Sequence, residues 1–201
     1  MSDPRAALLD LTGQMASQGV SLIPRVVPPD AEFRQWAHYP EGDAVSPSTK
    51  ARWFYHAHPP DQREPGEHGH FHLFLPCSAF DGIEALASPG PKDKRGKTPT
   101  KVVHFAALAF DTAGLPTHWF TVNRWVTNEY LMPAEAIIDR LSLFDVSDAP
   151  GDPLVNGWIT AAVALYRCEI AELLRQRDAG LSDGAYEDRD REILSSVDFE
   201  L

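Results

Sequence analysis

Apolar and polar positions along the chain divide it into a helical start, a strand-rich middle and a helical end. Residues 4–18 carry Leu8, Leu9, Leu11 and Met15 at helical spacing, which predicts one helix with a broad apolar face. A proline-rich connector runs from Pro24 to Pro29. Asp30 then stands as N-cap of a short helix through about Ala37, with Phe33 and Trp36 turned inward. His38-Tyr-Pro-Glu-Gly-Asp43 breaks that helix, and residues 40–50 read as loop.

The period then shortens to two. Arg52-Trp-Phe-Tyr-His-Ala-His58 and His70-Phe-His-Leu-Phe-Leu75 are short, aromatic-rich strands joined by the Pro/Gly/acid-rich loop 59–69. Val102–Phe110 and His118–Val126 form a second pair around the turn Asp111-Thr-Ala-Gly114. Between the pairs, residues 86–100 make a long polar loop that could serve as a lid. Pro133 opens a helix to about Phe144. Asp152 and Pro153 open a longer one to about Arg177 that stops at Gly180, and the charged tail 182–196 reads as weakly helical. The expectation is one α+β domain over residues 1–201: helical 1–50, a hairpin-rich antiparallel sheet of about four strands over 51–127, and helical 128–201, with the terminal helices packed on the sheet.

Composition narrows the class of function. A formal charge of -11 argues against nucleic-acid binding, and the one basic run, Lys92–Lys97, sits in a loop. No stretch reaches the ~20 apolar residues of a spanning helix, and the N-terminus lacks a signal-peptide pattern, so a cytoplasmic protein off the membrane is expected. Cys77 and Cys168 have no CxxC spacing and read as small core residues. The helical C-terminal third offers a homodimer surface, though packing on the sheet explains its apolar face equally well.

Five of eight histidines lie at positions 56, 58, 68, 70 and 72. Alternation puts His56 and His58 on the same face of their strand, and likewise His70 and His72 on theirs. A hairpin centred on Glu64 sets His58 opposite His70, His56 opposite His72 and Phe54 opposite Phe74. Opposed Cβ atoms are then about 4.5–5.5 Å apart. His56, His58, His70 and His72 thus become candidate ligands of one transition metal (iron, copper or zinc) inside an apolar collar. Unpartnered buried imidazoles would otherwise be costly. Glu64 or Glu67 could add a carboxylate. His104 is a candidate ligand or proton-transfer group, sharing its strand face with Ala106 and Leu108. The register of the second hairpin decides whether Arg124 or Asn123 joins it, and both stay open. His38 and His118 read as surface or capping residues.

The segments Arg52–Pro59, Gly66–Phe74 and Thr121–Thr127, with His38-Tyr-Pro40 and the Asp111–Gly114 turn, resemble an uncharacterised bacterial family classed as a domain of unknown function. That resemblance implies no chemistry. His68-Gly-His-Phe-His-Leu-Phe74 is similar to the signature of histidine-triad nucleotide hydrolases and transferases, which would make His70 a nucleophile toward phosphorus. This chain departs from that pattern in Gly69 and in the extra His56/His58 pair. Pro65–His70 is similar to the cupin strand, but the later glutamate is absent and too few strands follow to close a barrel. The leading expectation is a metalloenzyme acting on a small molecule. Oxidation at non-haem iron or copper ranks ahead of zinc hydrolysis, because tryptophan and tyrosine crowd the strands. The alternatives are a non-catalytic metal- or haem-binding protein and a metal-independent phosphohydrolase.

Overall fold

In the computed structural model, residues 3–27, 34–90, 101–181, 185–186 and 188–200 are described. Six antiparallel strands lie side by side in sequence order: β1 (Tyr39–Val45), β2 (Arg52–His56), β3 (Glu67–Pro76), β4 (Val102–Asp111), β5 (Pro116–Val122) and β6 (Ile193–Asp198). The two expected hairpins form its centre. The outer strands β1 and β6 occupy segments expected to be loop and weak helix, so the sheet has six strands rather than four. β1 escapes a pattern reading because Pro40 and Gly42 interrupt it, and its pairing with β2 shifts register between Tyr39 and Ala44. β6 forms because its backbone pairs with β5 along His118–Val122, a long-range contact that local propensity does not encode.

The helices α1 (Pro4–Ser17), α5 (Pro153–Leu165) and α6 (Arg167–Ala179) contribute to the main core, with the short helices α2 (Leu22–Val26), α3 (Arg124–Thr127) and α4 (Ala134–Ile138) around them. Asp3 caps α1 by accepting from the Arg5 amide at 3.1 Å. Asp152 caps α5 by accepting from the Leu154 amide at 2.8 Å, with Pro153 following as the first helical residue. On α1, Leu8 and Met15 are buried, whereas Leu9, expected on the apolar face, is 59 % exposed. The single helix expected from Asp152 to Arg177 is broken at Tyr166. There the ring packs on Trp119 and Phe199, and its hydroxyl donates to the Glu200 carbonyl at 2.6 Å. The helix expected from Pro133 to Phe144 is only α4 and a 3-10 turn, Leu141–Leu143. Cys77 is half-buried and Cys168 exposed, so the latter is not a core residue.

The sheet has two unlike faces. Against the helices stand Trp53 and Tyr55 of β2, Phe71, Leu73 and Leu75 of β3, and Phe105, Leu108 and Phe110 of β4. Away from them lie the histidines, bordered by two small apolar clusters: Phe54, Phe74 and Val102 on one side, and Ala107, Ala109, Phe120 and Val122 on the other. A bulge in β4 sets the second border. Leu73 pairs with Ala106 while Phe74 pairs with His104, leaving Phe105 as an extra residue. The parity of β4 therefore switches, and His104 shares its face with Ala107 and Ala109 rather than with Ala106 and Leu108. Alanine at 107 and 109, opposite His72 and His70, leaves the imidazoles room.

Candidate metal centre

The hairpin β2–β3 centres on Arg63, not Glu64, because the loop holds a 3-10 turn, Pro60–Gln62, and a left-handed Gly66 with φ +87°. Each expected pair therefore slides by two: His56 faces His70, Phe54 faces His72, and Arg52 faces Phe74. A two-residue slide preserves parity, so the histidines keep their shared face while exchanging partners. β2 ends at His56, which leaves His58 beyond the ladder. The strands close up at Gly69. A Cβ there would overlap the His56 carbonyl and approach the Tyr55 Oη to 2.7 Å, so glycine is needed for the approach itself.

Three imidazoles converge. The ligand atoms of His56, His70 and His72 all lie within 4.8 Å of one another. The His56 Nε2 stands 2.8 Å from the His70 Nε2 and 3.2 Å from the His72 Nε2. Each ring nitrogen holds either one hydrogen or one lone pair in its plane. Protein hydrogens serve three such facing nitrogens thinly: one His56 Nε2–H has to be split between the lone pairs of His70 and His72 in a three-centre bond. A cation satisfies all three lone pairs. Imidazole nitrogens about 2.0–2.1 Å from one tetrahedral zinc ion stand about 3.3–3.4 Å apart, close to the His56–His72 separation and wider than that of His56 and His70.

The opposite ring nitrogens agree with this tautomer. The His70 Nδ1 lies 2.6 Å from the Glu67 Oε1, and the His72 Nδ1 lies 3.0 Å from the His104 Nε2. With Nε2 as the lone-pair atom, each Nδ1–H donates outward, to a carboxylate in one case and an imidazole in the other. Such outer partners orient metal-bound histidines and raise their basicity. Burial, reinforced by neighbouring histidines, lowers His56 to about 2 and His70 to about 3, and holds His72 well below its usual range. His104 is lowered to about 3, by burial first and Arg177 second. All four are neutral at physiological pH, as ligation requires. Burial raises the Glu67 carboxyl.

The remaining expected residues fall at varying distances from this centre. The His58 ring centroid is 5.0 Å from that of His56 and 5.1 Å from that of His70, but its Nδ1 turns to the Gln62 carbonyl at 3.3 Å. It borders the triad without joining the converging atoms. Glu64 is exposed in the loop. His68 diverges at the bulge between Glu67 and Gly69 and bonds the Tyr55 hydroxyl at 2.6 Å, so the three histidines of the triad-like signature do not act together. Asn123 caps α3, and its Nδ2 reaches the carbonyls of Ala185, Asp188 and Arg191 at 2.9–3.3 Å, tying that segment to the sheet. Arg124 is buried on α3, close enough to Glu129 to lower that carboxyl's strongly raised pKa, whose main cause is burial. The suggested lid lies in residues 86–100, and its part from 91 to 100, with the basic run, is outside the described residues.

Several site neighbours escaped the sequence reading. Trp36, expected inward on a helix, is 53 % exposed with φ +65° and lies over His58 at 4.2 Å between ring centroids. Its amide donates to the Ala57 carbonyl at 3.1 Å, which fixes this segment across the end of β2. His38 stacks on Phe54 at 3.7 Å, and Phe120 packs edge-on against His70 at 5.1 Å. His118 lines a cleft together with His58 and His70. Only the aromatic character of these positions hinted at such roles.

Among the described residues no helix is long and apolar enough to cross a membrane. Neither the curated proteins nor the solved structures contain a match to the chain. One family model matches residues 3–199, nearly the full length, and its description is a domain of unknown function. The chain with its buried histidine triad thus belongs to the DUF6969 family.

Proposed function

We propose that the protein is a mononuclear metalloenzyme in which His56, His70 and His72 bind one transition-metal ion through Nε2. The observation that carries this reading is the convergence of three neutral Nε2 atoms, with spacings of 2.8 and 3.2 Å, that have at most one hydrogen among them once the Nδ1 atoms of His70 and His72 carry their own. Glu67 and His104 hold the ligand rings from behind. His58 borders the side of the triad that opens to the cleft, where a substrate would reach the metal. Three imidazoles suit iron, copper or zinc.

Oxidation at iron or copper ranks ahead of zinc hydrolysis in this reading. The nearest carboxylate, Glu67, is bound to His70 and is not free to take a proton from a metal-activated water. The surrounding rings of Phe54, Phe74 and Phe120 exclude water from the sides.

Elemental analysis of the untagged protein, purified without chelator, tests the proposal. About one equivalent of metal per chain, lost in His70→Ala and in His72→Ala with circular dichroism unchanged, is the expected result. Iron or copper directs the next assays to oxidation, and zinc directs them to hydrolysis. Absence of metal both as purified and after reconstitution would sink it.

A further inference from the structure

The cleft beside the triad holds about 260 Å³, and His58, His70 and His118 stand in its wall. Its other charged lining residues are Asp61, Glu64, Glu67 and Glu192 against Arg63 alone. Glu67 is bound to His70, and the Arg63 Nη1 donates to the His68 carbonyl at 2.9 Å. Asp61, Glu64 and Glu192 have no such partner among the described residues and are exposed. The cleft adjoins a wider one of about 500 Å³ that shares Glu64, Glu67 and His118 and adds Asp111 and Asp198. Carboxylates therefore outnumber the single arginine along the approach to the triad.

A second observation is independent of the carboxylates. His58 is 7 % exposed, and its Nε2 is buried without a hydrogen-bond partner among the described residues. Its Nδ1–H donates to the Gln62 carbonyl, so Nε2 presents a lone pair. A buried acceptor without a donor is costly, and a ligand that brings an O–H or N–H relieves that cost. We infer that the cleft binds a small organic cation bearing a hydroxyl or N–H donor, with the donor on His58 and the positive end among Asp61, Glu64 and Glu192. The cation is the substrate class of the metal site, so the inference rests on the metal reading. Carboxylates at a cleft mouth also concentrate such cations, an effect that salt weakens.

Choline is a suitable probe, and 3,3-dimethylbutan-1-ol is its uncharged counterpart of nearly the same shape. The full-length protein is loaded with cobalt(II), its cobalt content is measured, and paramagnetic broadening of the probes' methyl proton signals reports their approach to the ion. Choline is expected to bind at least about tenfold more tightly than the alcohol, the effect of one favourable ionic contact in a partly shielded site. That preference should shrink several-fold in the double variant Glu64→Gln/Glu192→Gln, with cobalt stoichiometry unchanged, and should weaken as salt is raised. Full cobalt loading with equal affinity for the two probes, or a preference that survives the double variant, overturns the cation inference and leaves the metal reading standing. Failure to take up cobalt overturns the metal reading, and the inference falls with it.

Discussion

The two faces of the sheet are built from alternate residues of the same strands, yet they solve opposite problems. On the helix side, Tyr55, Phe71 and Leu73 are removed from water among other apolar groups, and their burial stabilises the fold. On the other side, His56, His70 and His72 are equally buried, with His72 only 1 % exposed, but their Nε2 atoms meet one another, with Glu67 and His104 behind the rings. One face is stable because of what it buries, and the other is tolerated because the first is stable. Such a division is expected where a site is held on rigid strands and its geometry, rather than its stability, is what matters.

The largest effect that separates the faces should come from acid. His56, His70, His72 and His104 are held far below the ~6.5 at which the unfolded chain titrates. Below that value the unfolded state binds protons that the folded state refuses. Stability is therefore full above pH ~6.5 and falls as pH drops toward the folded values, by up to ~1.4 kcal/mol per pH unit for each histidine. Chelator-treated protein melted between pH 7 and pH 4 should lose stability steeply. A flat profile would mean that the histidine face is open to water.

Next in size is the helix side. Phe71→Ala should cost ~3–5 kcal/mol in denaturant unfolding of the metal-free protein, because a fully buried ring leaves a cavity. His70→Ala should cost much less in the same assay while abolishing metal uptake. A large loss in both would erase the distinction between the faces.

Glu67→Gln sharpens the reading further. Weakening the carboxylate behind His70 should lower metal affinity about 10–100-fold, measured by competition with a chromophoric chelator. Unchanged affinity would leave Glu67 with no role beyond the start of β3. The smallest effect is expected at Leu9→Ser on α1. Its side chain is exposed, and a change within about 0.5 kcal/mol should be found.

Much of the site was legible in the chain because alternation is a robust signal. The even-numbered histidines of both strands point the same way whatever the register, provided that the slide is even. The pairing itself was not legible, since it depends on how many residues the loop from Pro59 to Gly66 spends in its turn. His104 was named as a candidate ligand or proton-transfer group, but its face was read with Ala106 and Leu108, because nothing local in Val102–Asp111 marks the extra residue Phe105. The β4–β5 hairpin followed from turn chemistry: Asp111 accepts from the amides of Ala113 and Leu115, and Gly114 takes φ +79°. β1 and β6 are held by pairing with distant strands, which composition and periodicity do not record. Trp36 misled for a related reason: its aromatic ring suggested the core, whereas its backbone turns left-handed to lay the ring over His58.

The interruptions that hid β1 bear on how the molecule meets its own copies. A sheet edge is a template on which another chain can add a strand, and unguarded edges seed aggregates. On β1, Pro40 offers no amide hydrogen, Gly42 and Asp43 carry positive φ, and the register breaks between Tyr39 and Ala44. Glu41 adds exposed charge. A neighbouring strand would find no continuous row of donors and acceptors there. The segment that frustrates pattern recognition also frustrates edge-to-edge polymerisation beside the histidine cluster.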